Sequence, residues 1–167
     1  MTSPGSTALP PGANDFDFLH GSWRVAHQRL AVRLKNSTDW VRFGGTVRAK
    51  PILGGLGNFD ENIIELPQGP YHACTVRLFD AQRAEWSIHW IDGRDPKLDP
   101  PVRGGFERGE GVFYGDDVFE GRPIRVRFIW SKITPRGARW EQAFAVAAGP
   151  SSQPEWETNW IMDFERA

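Results

Sequence analysis

Apolar and polar residues alternate with a period of two over most of the chain, and helical periodicity is scarce. Clear alternation runs through residues 41–49, 124–130 and 140–146. The final segment is the cleanest, and one of its faces carries Trp156, Thr158, Trp160, Met162, Phe164 and Arg166. Because successive side chains of a strand point to opposite faces, this pattern predicts half-buried antiparallel strands.

Turn-forming sequences interrupt the alternating runs at short, fairly regular intervals. Examples are Asn36-Ser37, Pro67-Gln68-Gly69-Pro70, Asp92-Gly93, Arg108-Gly109 and Glu120-Gly121. They predict about ten strands joined mostly by hairpins, and only residues 16–20 suit a helical turn. A meander of ten strands either closes or leaves long exposed edges. We therefore predict an all-β fold, a closed antiparallel up-and-down β-barrel of about ten strands with a short N-terminal helical turn.

The chain has 167 residues and a mass of 18.9 kDa, which suits one domain with one core. Its first dozen residues are rich in Ser, Thr, Pro and Gly. We expect residues 1–14 to form a flexible tail and residues 15–167 to form a single barrel domain. A second biased stretch, residues 147–154, is expected to be a loop between two strands.

Composition excludes several classes of partner. Twenty basic and twenty-one acidic residues give a formal charge of −1, so we expect no nucleic-acid or membrane partner. The single cysteine, Cys74, excludes an internal disulfide and a cysteine-built zinc site. No apolar run is long enough to span a bilayer, and the N-terminus lacks the features of a signal peptide. The cytoplasm is the expected location.

One short motif suggests how the barrel is closed. Gly21-Ser22-Trp23 is a G-x-W at the start of the first predicted strand, and Arg166 is a basic residue near the end of the last. Together they resemble the signature of the calycin superfamily of lipocalins and fatty-acid-binding proteins. The resemblance implies that Trp23 closes one end of the barrel and that Arg166 lies across the indole in a cation–π contact.

A more specific resemblance covers nearly the whole chain. The segments DFLHGSW, ILGGLGNFDEN, WSIHW, FYGDD, RWEQAF and WETNWIM are similar to a family of bacterial calycin-like barrels of unknown function. The resemblance implies the fold and supplies no activity or catalytic residue set. The chain departs from the haem-binding nitrobindin branch, since neither of its last two strands carries a histidine. Haem is disfavoured, and we expect no cofactor.

The predicted lumen is rich in aromatic residues. If Trp23 faces inward, so do Val25 and His27, and the same parity applies to the later strands. The residues expected to contact a ligand are Trp86, Trp90, Tyr114, Phe128, Trp130, Trp140, Gln142, Phe144, Trp160 and Met162. A ten-strand barrel is too wide for side chains to fill completely. The leading hypothesis is therefore that the lumen binds a small, largely apolar or aromatic molecule. The alternative is that the tryptophan side chains themselves fill the lumen.

Two other functions stay open. A cofactor-independent isomerase, cyclase or hydro-lyase would use an inward His27 or Glu61 as acid or base, since one of the residues 60–62 must face the lumen. A filled barrel would instead act through a homodimer or partner surface carrying Trp40, Trp156 or Ile161. The histidines do not form a ligand spacing, so no metal site is predicted. The connection 92–101 is long enough to gate the barrel mouth, the alternative being a plain solvent-exposed loop.

Overall fold

A computed structural model describes residues 8–150 and 152–167 of the chain. Short 3₁₀ turns span Asp17–Leu19 and Leu53–Gly55. The strands are β1 (Gly21–Leu30), β2 (Trp40–Ile52), β3 (Gly57–Leu66), β4 (Gly69–Asp80), β5 (Glu85–Asp92), β6 (Val102–Glu107), β7 (Glu110–Phe119), β8 (Arg122–Ser131), β9 (Gly137–Val146) and β10 (Glu157–Arg166). No described helix has the length and apolar character needed to cross a membrane.

The ten strands form one closed sheet. Each strand pairs antiparallel with its neighbours in the chain, and β1 pairs with β10 to complete the circle. Two hairpins have two-residue turns with positive φ at both positions, at Arg108-Gly109 and Glu120-Gly121. Turns of this kind match the right-handed twist of the flanking strands. The predicted all-β, closed, up-and-down barrel of ten strands with an N-terminal helical turn is confirmed.

One end of the barrel is shut by a tightly packed aromatic cluster. Phe16, which precedes the first 3₁₀ turn, packs edge-on against Trp86 with ring centroids 5.0 Å apart. Trp23 donates a hydrogen bond of 2.7 Å from Nε1 to the carbonyl of Leu19. The Arg166 guanidinium carbon lies 3.7 Å from the centroid of the Trp23 ring, which confirms the predicted contact. The same guanidinium donates to the carbonyls of Phe18 and His20, so it fastens the N-terminal turn to β10.

The packed part of the chain begins before residue 15. Ala13 is only 2% exposed, and the Nε1 of Trp86 donates a hydrogen bond of 3.1 Å to the carbonyl of Gly12. Residues 12 and 13 therefore belong to the closed end of the barrel, and the predicted boundary at residue 15 lies too late. Residues 1–7 lie outside the described part of the chain, and their flexibility stays a prediction. The predicted loop at 147–154 connects β9 to β10, with residue 151 outside the described set.

The seam between β5 and β6 is the shortest in the barrel. It contains three paired positions, Trp86 with Gly104, Ser87 with Arg103 and Ile88 with Val102, whereas each other seam contains five or more. Beyond Ile88 the edge of β5 runs beside the connection 93–101, and the Asp99 N–H donates to the carbonyl of Trp90 at 3.4 Å. This connection thus takes the place of strand pairing at the open end of the barrel.

Candidate ligand-binding lumen

The end of the barrel opposite Trp23 opens into a cavity of about 530 Å³. This volume lies within the range of roughly 300–1,000 Å³ that is usual for small-molecule sites. Most of the wall is apolar and aromatic, and it includes Ile88, Trp90, Val126, Phe128, Trp140, Phe144 and Trp160. These side chains come from β5, β8, β9 and β10, whose inward positions are the apolar positions of each alternating run.

The aromatic wall is held by edge-to-face contacts. Trp160 is central, because its ring centroid lies 5.8 Å from that of Trp90 and 5.5 Å from that of Trp140. Phe128 continues the chain of contacts at 4.8 Å from Trp140. Such pairs contribute about 0.5–1.5 kcal/mol beyond the burial of their surface. The rings are therefore fixed in place before any ligand arrives.

A second, much smaller pocket lies below the cavity, toward the closed end. Its volume is about 30 Å³, enough for one water molecule or one polar group of a ligand. Four residues line both spaces, so the small pocket continues the cavity inward: Ile88, Trp90, Phe128 and Trp140. The other lining residues are Asp60, Asn62, Thr75, Arg77, Trp130, Met162 and Phe164.

The floor of the lumen is polar and buried. Arg77 Nη1 lies 2.6 Å from Asp60 Oδ2 and donates to Asn58 Oδ1 at 2.9 Å. Asn62 donates to the other oxygen of Asp60 at 2.6 Å. Within the described residues, Arg77 Nε and Trp130 Nε1 have no acceptor although both atoms are buried. Trp130 also lines the small pocket, so this residue combines a buried, unpaired donor with contact to that space.

Three arginines border the mouth of the cavity. The Arg29 guanidinium carbon lies 5.1 Å from the Trp160 ring centroid, and its Nη1 donates to the Tyr71 hydroxyl at 3.4 Å. Arg94 stacks on the Tyr71 ring, 3.6 Å from its centroid. Arg33 is largely buried, and this burial together with the charge of Arg29 lowers the pKa of Arg33 to about 10. Arg33 stays protonated at neutral pH, but its charge is poorly compensated.

Acidic side chains border a different part of the mouth. Asp95 pairs with Lys97 at 2.7 Å. Asp99 and Asp117 also line the cavity, and burial followed by the charge of Asp117 raises the pKa of Asp99. Seven residues from Asp92 to Pro100 line the mouth, although most of the connection is exposed. The connection predicted as a gate or a solvent-exposed loop therefore borders the opening while facing solvent.

His27 is part of the packed wall rather than of the cavity surface. Its ring is 2% exposed, stacks on Phe43 at 4.8 Å and lines neither the cavity nor the small pocket. Trp160 Nε1 donates to His27 Nδ1 at 3.1 Å, so the neutral ring carries its proton on Nε2. Burial, with a contribution from Arg29, lowers the pKa of His27 to about 4. The catalytic role predicted for His27 lacks contact with the cavity.

The remaining predicted site residues divide clearly. Trp90, Phe128, Trp140, Gln142, Phe144 and Trp160 line the cavity, and Trp130 and Met162 line the small pocket. Trp86 is buried in the closed-end cluster, where it packs on Phe16. Contact with a ligand stays a prediction for the eight lining residues.

Two predicted residues lie on the outer face of the barrel. Glu61 is exposed, because Asp60 and Asn62 are the inward side chains of this segment; the inward orientation considered for Glu61 is wrong. Tyr114 is 43% exposed, and its ring lies 5.9 Å from that of Trp156 on the outside. Its strand neighbour Phe113 is fully buried, so strict alternation turns Tyr114 outward.

The sequence analysis placed Gln142 in the lumen and one residue of the segment 60–62 on its wall, but it did not identify the arginines there. Arg29 is two residues beyond His27 on the same strand face, so extending the alternation by one step would have placed it inside. Arg77 lies on the same buried face of β4 as Ala73 and Thr75. A charged residue in an alternating pattern is normally interpreted as solvent-facing, so the sequence alone does not show that Arg77 points inward. Arg33 lies in the connection between β1 and β2, where no periodicity indicates which way a side chain points.

Across residues 8–150 and 152–167, no three His, Cys, Asp or Glu side chains gather as metal ligands. The side chains that line the lumen offer aromatic surfaces, guanidinium groups, amides and carboxylates.

Comparisons with known proteins support the architecture. No protein-family profile matches the chain, and no curated protein sequence matches it significantly. Among solved structures, an S-type phycobiliprotein lyase, CPES from Guillardia theta, has a similar fold with a TM-score of 0.56. The sequences are 9% identical, and the similarity covers 91% of this chain and 90% of the other. At this identity the comparison establishes a shared overall fold and nothing about individual residues.

Proposed function

We propose that this protein binds a small, largely apolar or aromatic molecule in the barrel lumen. The proposal rests on the cavity of about 530 Å³ whose wall is built from fixed tryptophan and phenylalanine rings. The packed aromatic cluster closes one end of the barrel, and the opening at the other end gives access to the lumen. The Trp130 N–H at the floor adds one hydrogen-bond donor for the buried end of a ligand.

The comparison with a solved structure is consistent with this proposal. A barrel of the same fold bears the name of a phycobiliprotein lyase. It supports small-molecule binding as the use of such a lumen, while the ligand of the present chain is argued only from its own residues. An enzyme acting in the lumen stays an alternative, but His27 lines no cavity and Glu61 faces outward.

A neutral fluorescent probe tests the proposal directly. N-phenyl-1-naphthylamine is apolar and aromatic, and its emission rises when it leaves water. We expect saturable binding with one site per chain. Replacing Val126, a buried residue of the cavity wall, by Trp fills part of the lumen and should weaken binding several-fold.

The matched control is Val112→Trp on β7. Val112 is half-buried and lines an outer concavity rather than the lumen. The same side chain is thus added outside the barrel, where it should leave the affinity unchanged. Absence of saturable binding, or equal weakening by the two variants, would overturn the proposal that the lumen is the site.

A further inference from the structure

The arginines at the mouth lack enough carboxylate partners. Within the described residues, neither Arg29 nor Arg33 has a carboxylate oxygen within 4.0 Å of a guanidinium nitrogen. Arg94 engages both oxygens of Asp92, at 2.7 and 3.0 Å. Half-buried guanidinium groups are otherwise normally paired, because burying an unpaired charge is costly.

The carboxylates near these arginines are already engaged by other groups. Asp92 is held by Arg94 through both of its oxygens. Glu157 accepts the Leu34 N–H at 2.7 Å, so part of its hydrogen-bonding capacity is used. Arg29 and Arg33 are thus left to donate to a group that is not part of the described protein.

The two guanidinium groups are held on aromatic rings with donors to spare. Arg29 lies over Phe43 and Trp160, with its guanidinium carbon 5.3 and 5.1 Å from the ring centroids. Arg33 lies over Phe119 and Phe144, at 5.8 and 5.9 Å. Contact with a ring face occupies the flat side of a guanidinium and leaves its N–H groups in the plane free to donate. No described acceptor takes a hydrogen bond from Arg33.

The electrostatic layout of the mouth favours one location for a negative group. Asp99 and Asp117 lie near Lys97, which belongs to the connection between β5 and β6. A negative group of a ligand is repelled by these carboxylates and attracted to Arg29 and Arg33. The ring system of the same ligand then extends inward along Trp160, which Arg29 also contacts.

From these observations we infer that the ligand is an aromatic anion, whose carboxylate or similar acidic group binds Arg29 and Arg33 while its rings lie in the lumen. The inference rests on the proposed function and narrows it to one chemical class. A planar carboxylate suits the paired N–H donors of a guanidinium.

Two probes that differ only in charge test the inference. 1-Anilinonaphthalene-8-sulfonate has the ring system of N-phenyl-1-naphthylamine with one sulfonate added. We expect Arg33→Gln and Arg29→Gln each to weaken binding of the sulfonate about tenfold, the loss usual for a charge-assisted hydrogen bond. Binding of the neutral probe should change less than about twofold, because the aromatic wall is intact.

Two further variants control for charge and for packing. Arg24→Gln removes the same charge from the outer face of β1, where Arg24 is exposed, and should leave both affinities unchanged. Arg29→Lys keeps the positive charge over Trp160 and should lose less sulfonate affinity than Arg29→Gln. It keeps the test valid if Arg29→Gln disturbs folding, which near-ultraviolet circular dichroism would reveal.

The outcomes separate the two proposals. Selective loss of the sulfonate probe supports the inference. Equal loss of both probes, or no loss of either, overturns it and leaves lumen binding standing. Failure of the wild-type chain to bind the neutral probe saturably counts against the proposed function instead.

Discussion

At the scale of single residues, His27 links the stability of the barrel to pH. Burial holds the folded-state pKa of His27 near 4, whereas an exposed histidine in the unfolded chain titrates near 6.5. Between these values the unfolded state binds more protons than the folded state, so the free energy of unfolding falls as the pH is lowered. The contribution of His27 is complete above about pH 6.5 and is lost progressively down to about pH 4.

We therefore predict that the free energy of unfolding in urea is about 2 kcal/mol lower at pH 5 than at pH 7 on account of His27 alone. His27→Gln can still accept the Trp160 N–H through its side-chain oxygen and should show a smaller difference. His72→Gln, on an exposed position of β4, controls for the loss of a histidine. Identical pH dependence in wild type and His27→Gln would contradict the prediction.

The buried pair at the floor of the lumen is a second residue-scale feature with a measurable effect. Arg77 and Asp60 are 5% and 3% exposed, so removing one charge leaves the other buried without a partner. We predict that Arg77→Met lowers the free energy of unfolding by about 3–5 kcal/mol at pH 7. The double variant Arg77→Met/Asp60→Asn should recover part of this loss, because no unpaired charge remains.

The control for that variant is the exposed pair Arg83–Asp80, with its 2.8 Å contact in a hairpin turn. Arg83→Met makes the same change of residue type in water and should alter stability little. If the double variant were no more stable than Arg77→Met, the buried carboxylate would not be the cause of the loss.

At the scale of elements, β6 is constrained by its close approach to β7. A Cβ added at Gly104 would lie 2.0 Å from the carbonyl oxygen of Val112, whereas a Cβ at Gly105 meets nothing within 4 Å. Neither glycine has a positive φ, so space alone distinguishes these adjacent positions. The pair is a matched test of packing within one strand.

We predict that Gly104→Ala lowers the free energy of unfolding by about 2 kcal/mol or more, since the backbones of β6 and β7 must separate. Gly105→Ala should be neutral or stabilise slightly, because alanine restricts the unfolded chain more than glycine does. Urea denaturation of the two variants measures both effects. Similar free energies of unfolding for Gly104→Ala and Gly105→Ala would contradict the prediction that the close approach of β6 and β7 excludes a side chain at residue 104.

At the scale of the whole molecule, the fold could be predicted from sequence and most of the lumen could too. Alternation in the last strands assigned Trp140, Trp160 and Met162 to the inside, because each run has one consistently apolar face. The closure of the barrel was predicted from the number of strands and the spacing of the turns. These features can be read from local sequence patterns, without knowledge of the contacts between distant residues.

The polar part of the site could not be predicted in the same way. Alternation identifies an inward position by its apolar character, so it overlooks an inward arginine such as Arg77, whose partner Asp60 is on another strand. The prediction that Tyr114 contacts a ligand is at odds with strand alternation, because its neighbour Phe113 occupies the inward position. The partners that make a buried charge acceptable are set by strand register, which the sequence does not reveal.

The short seam between β5 and β6 has a consequence for the rate at which the lumen is filled. Its three paired positions end at Ile88 and Val102, and the paired ring of strands is interrupted from there to the rim. Separation of these few pairs would widen the opening while the other seams stay paired, so the barrel can open locally without unfolding. The rates of ligand entry and release would then be set by this local opening, and a high-affinity complex would form slowly and dissociate slowly.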